Sequence, residues 1–123
     1  KTFVWIPSIK AIVGGINVFG NTFHVWMADA QTPEARKSWI SALDKITLLR
    51  PEVVIPAHAK DGAAFDLASV QHTKDYILFY EEALKTNTTS EELISAIKSQ
   101  YPNLAFATAL QIGAKVNTGE MKW

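Results

Sequence analysis

Three histidines, His24, His58 and His72, are the first candidates for acid–base or metal chemistry near neutral pH, and there is no cysteine to act as a thiolate. His58 has the most suggestive setting, Val53-Val54-Ile55-Pro56-Ala57-His58-Ala59-Lys60-Asp61. The run of β-branched residues predicts a strand buried on both faces, and Pro56, with no N–H for a ladder, predicts its end. His58 then sits in the loop just beyond, where a rigid scaffold delivers reactive groups. An imidazole there can be a neutral metal ligand, a general base or a hydrogen-bonding wall; a half-buried ring satisfied by backbone groups is the commoner outcome. His24 lies in Phe23-His24-Val25-Trp26. Alternation puts Thr22, His24 and Trp26 on one face of a β-like run and Phe23, Val25 and Met27 on the other. His24 therefore reads either as the wetter face of an edge strand or as a residue lining a pocket mouth. His72, among Gln71, Thr73, Lys74 and Asp75, reads as solvated helix surface.

The elements that must position these groups divide the chain into three stretches. Residues 1–30 read as a strand meander: Phe3 to Ile6 ended by Pro7, Ile9 to Val13 closed by Gly14-Gly15, Ile16 to Phe19, a Gly20-Asn21 turn, then Thr22 to Met27. Residues 32–58 read as a helix and then the buried strand. Thr32-Pro33-Glu34 is a helix start, and Ala35, Trp39, Ala42, Leu43, Ile46 and Leu49 recur at spacings of three and four as one buried stripe. Residues 64–114 read as helical: Asp66 caps a long helix that Asn87-Thr88 breaks, Thr89 to Glu92 has capping-box spacing, and Leu104 to Ala114 is a final helix. The fold class is α/β, with short, mostly antiparallel strands followed by helices.

Composition closes off several functions. Twelve basic and twelve acidic residues give a formal net charge of +0, which offers no electrostatic basis for nucleic acid or an acidic membrane surface. No apolar run approaches the roughly 20 residues of a membrane-spanning helix, and no signal peptide opens the chain. Absence of cysteine is compatible with a cytoplasmic or a periplasmic location. The start without Met, inside a strand, reads as a piece of something longer.

The helix end Leu48-Leu49-Arg50-Pro51 running into Val53-Val54-Ile55-Pro56-Ala57-His58 resembles the late "P-x-x-V-I-P-G-H" motif of the metallo-β-lactamase fold superfamily, with Ala57 where that family usually has Gly. Val4-Trp5-Ile6-Pro7-Ser8, the double glycine, and the closing stretch from Gly113 to Trp123 are similar to a bacterial subfamily of poorly defined substrate. The resemblance spans essentially the whole chain but only the later half of the family's domain. It implies half of a four-layer αββα sandwich, a metal-dependent hydrolase of an ester, lactone, thioester or amide (β-lactams included), and zinc as cofactor. His58 is then a metal ligand, a metal-bound hydroxide the nucleophile, and His24 or Trp26 a substrate contact.

Two departures from the family pattern matter. Gly15 or Ile16 occupies the place of the family's metal-bridging Asp, and neither side chain binds a cation; Asp29, Asp61 or a water could substitute. The "H-x-H-x-D-H" motif, which supplies most ligands and the acid/base Asp, is absent. Zinc catalysis needs several convergent ligands and one open position, so this polypeptide alone is expected to be inactive and to bind metal weakly at best. A half sandwich also leaves an apolar face to be covered, by the missing N-terminal half or by self-association, for instance as a homodimer. The alternative is a catalytically decayed binding protein that keeps the fold.

Overall fold

A computed structural model describes all 123 residues. The order of elements is β1 (Val4–Ile6), a single 3-10 turn (Pro7–Ile9), β2 (Ala11–Phe19), α1 (Pro33–Leu48), β3 (Val53–His58), α2 (Leu67–Thr86), α3 (Ser90–Gln100) and α4 (Ala107–Asn117). One mixed sheet runs β1-β2-β3, with β1 antiparallel to β2 and β3 parallel to it. A parallel neighbour requires a crossover, and α1 supplies it. The chain is thus α/β, a three-stranded sheet with four helices, and by itself it forms one sheet rather than a two-sheet sandwich.

The first thirty residues depart from the expected meander. Ile9–Val13 and Ile16–Phe19 are not separate strands; β2 passes straight through the double glycine as one nine-residue strand. Gly15 takes the irregularity, with φ +53°, and the register against β3 shifts on either side of it. A bulge there continues the strand where a turn was expected. Thr22 to Met27 forms no strand either, only an isolated bridge between Phe23 and Ala105.

Within β3, Pro56 does not end the strand, which continues to His58. β3 lies at the sheet edge, where a missing N–H faces away from the ladder and costs no hydrogen bond. Nor is it buried on both faces: Val54 is fully buried while Ile55 is 39% exposed. The helices pack against the face carrying Ile12 and Val54. Val4, Val13 and Ile55 share a row on the opposite face, which is open; Val4 is 57% exposed.

The helix starts follow the expected chemistry more closely. Thr32 accepts from Ala35 N at 3.1 Å, Asp66 from Ala68 N at 2.9 Å, and Thr89 and Glu92 form the reciprocal capping box. In α1, Trp39, Leu43 and Ile46 are buried, but Leu49 lies past the helix end and is exposed. α4 starts at Ala107, three residues later than Leu104, because Leu104 to Phe106 is drawn into the bridge with Phe23, and Phe106 turns the chain at φ 67°. No helix is long and apolar enough to cross a membrane.

Candidate functional site

His58 is the last residue of β3, paired with Phe19 at the end of β2. Its backbone is fixed from the Gly20 side: Gly20 N donates to His58 O at 2.7 Å, and a Cβ on Gly20 would lie 2.8 Å from that same oxygen. Only glycine allows the two strand ends to approach this closely. The imidazole projects among aromatic rings, with centroids 5.5 Å from Phe19, 5.4 Å from Phe106 and 6.5 Å from Phe23. The residue nevertheless remains exposed, because the ring borders a cavity of about 270 Å³.

That cavity is lined by Lys1, Ile16, Phe19, Trp26, Asp29, Trp39, His58 and Phe106. Its walls are set by the core. Trp39 is anchored by donating from Nε1 to Asn17 O at 2.8 Å, and Trp26 stacks on Phe106 at 6.1 Å and meets the edge of Trp123 at 5.2 Å. Trp123 Nε1 in turn donates to Asp29 Oδ1 at 2.7 Å, so the end of the chain braces two of the lining residues. Lys1 Nζ lies 4.0 Å from the Trp39 ring centroid. The arrangement is a mostly aromatic pocket with three ionisable groups at its border, the usual composition of a small-molecule site.

Of the residues singled out from the sequence, His58 and Trp26 meet at this cavity and His24 does not. His24 is 2% exposed, its Nδ1 3.0 Å from the Tyr76 hydroxyl, and burial pushes its pKa down to about 4. An expected strand face became a packed loop, so alternation no longer decided which residues met water. His72 is likewise not a free surface residue: Nε2 is 2.9 Å from Phe23 O, the ring packs edge-on to Tyr101, and burial lowers its pKa. Asp29, one of several carboxylates that could replace the absent bridging Asp, shares the cavity with His58, and Asp61 does not line it.

Sequence reasoning missed Arg36. It is 5% exposed, paired with Glu81, and donates to Ala30 O at 2.8 Å and Asn117 Oδ1 at 3.2 Å. It ties α1, α2 and α4 to the segment that carries Trp26 and Asp29. Its position one residue after the apolar Ala35 was the only signal, and helix periodicity gives no charge a buried role.

The donor set does not make a zinc centre by itself. A structural or catalytic zinc takes at least three protein ligands, and no group of three His, Asp or Glu side chains converges anywhere in the chain. His58 and Asp29 are two potential donors at one cavity. A scan against protein-family models, a search of curated proteins and a search of solved structures each return no match.

Proposed function

We propose that this chain forms one half of a small-molecule hydrolase site of the metallo-β-lactamase type, in which His58 contributes a single metal ligand and the aromatic cavity receives the substrate. The observation that carries the reading is the placement of an exposed imidazole at a strand tip, on the border of a cavity that also holds Asp29. The remaining ligands must come from a second polypeptide surface, because two donors do not hold a catalytic zinc. The open sheet face bearing Val4, Val13 and Ile55 is where such a partner would pack, completing a second layer of sheet as the missing half or as another copy of the chain. The substrate class is an ester, lactone, thioester or amide.

Metal analysis of the complete parent polypeptide tests this. Bound zinc, together with hydrolysis of a panel of these acyl compounds that is lost in His58→Ala, is the expected result. A metal-free parent that still binds small molecules supports the second reading, a decayed binding module. That reading is favoured by the place of the expected carboxylate, where Gly15 or Ile16 stands and neither side chain binds a cation.

A further inference from the structure

The cavity beside His58 already receives a cation, the protein's own. Lys1 places its ammonium 4.0 Å from the centre of the Trp39 ring, against a wall shared with Phe19, Trp26 and Phe106. An ammonium over an indole face is attracted by the negative face of the ring. Burial lowers the Lys1 pKa, and the negative charge of Asp29 opposes that shift. Asp29 is held by the 2.7 Å hydrogen bond from Trp123, whose ring also braces Trp26. Two indoles, two phenyl rings and one oriented carboxylate around a single space are the parts of a cation cage. With Lys1 displaced, the Trp39 ring face and the Asp29 carboxylate both present negative charge to a cation.

We infer that this cavity binds an alkylammonium group carried by the site's ligand, with Trp39 and Trp26 as its aromatic faces, Asp29 as counter-charge, and Lys1 as a tethered cation that the ligand displaces. This names a ligand class for the site and rests on its reading as a small-molecule cavity, without requiring a metal.

Choline and its uncharged tert-butyl isostere separate charge from shape. Titrated into the protein and followed by tryptophan fluorescence, choline should bind about tenfold more tightly than the isostere, the order of magnitude of a partly desolvated cation–π contact. Lys1→Met removes the internal competitor and should tighten choline binding several-fold. Asp29→Asn retains an acceptor for Trp123 and should weaken choline binding while leaving the isostere unchanged. Equal binding of choline and isostere, or no choline binding by a Lys1→Met protein with unchanged circular dichroism, overturns the inference. Zinc titration of the same samples keeps the two proposals apart. Choline binding without zinc uptake upholds the cation site and leaves the metal reading to the parent polypeptide, whose second surface supplies the other ligands; zinc uptake without choline binding removes the cation site alone.

Discussion

His24 and His58 have the same chemistry and opposite surroundings. The His24 imidazole is sealed among Tyr76 and its neighbours, where burial above all, with the charges of Lys98 and His72 adding, holds its pKa near 4 against an ordinary 6.5. Between those two values the unfolded chain carries a proton on this group that the folded chain refuses. Stability is therefore complete above about 6.5 and declines as pH falls toward about 4; His72, shifted the same way by burial, steepens the decline. Thermal melts across that window should show a falling midpoint, flattened in His24→Gln; an unchanged slope in the variant would show that His24 is not the group responsible. Trp39 carries a different load, filling the core and forming a cavity wall at once. Trp39→Ala should cost about 3–5 kcal/mol in a denaturant titration. Proximity in sequence identified His58 and Trp26 as candidates. Asp29 was one of several carboxylates in view and only the fold selects it, while Lys1 and Phe106 join from distant stretches of chain.

Helix starts were legible because capping is local: Thr32, Asp66 and Thr89 each need only the next two or three residues to act. Thr89→Ala removes the capping box of α3 and should lower stability by about 1 kcal/mol, and Thr89→Ser should restore most of it. Strand limits depend on partners far away in sequence, and there the local signals misled. Pro56 looks like a terminator until β3 is seen to be an edge, and Gly14-Gly15 looks like a turn until β3 pairs along both sides of it. Gly15→Ala, forced to φ +53° with open space around it, should be destabilised by about 1 kcal/mol without moving the site. Gly20→Ala is different in kind, since its Cβ meets the backbone of His58 and Ala59. It should displace the imidazole, and an NMR spectrum with His58 shifted while His24 stays in place checks that.

Across the whole molecule, four helices sit with a three-stranded sheet that keeps one apolar face open. The α/β class was readable from the order of β-rich and helical stretches; the number of layers was not, because the residues of one face look alike whether another sheet covers them or water does. An uncovered row of Val4, Val13 and Ile55 should drive association of the isolated chain. Light scattering on a concentration series should show dimer, and Val13→Lys should shift it to monomer; a wild-type monomer throughout would remove the need for a covering layer. The imidazole at the tip of β3 is directly observable, because this chain has three histidines. Zinc titrated into the protein and followed by the histidine ring resonances should move His58 alone, leaving the buried His24 and the backbone-bonded His72 where they were. Unmoved His58 signals, or equal movement of His72, would contradict the assignment.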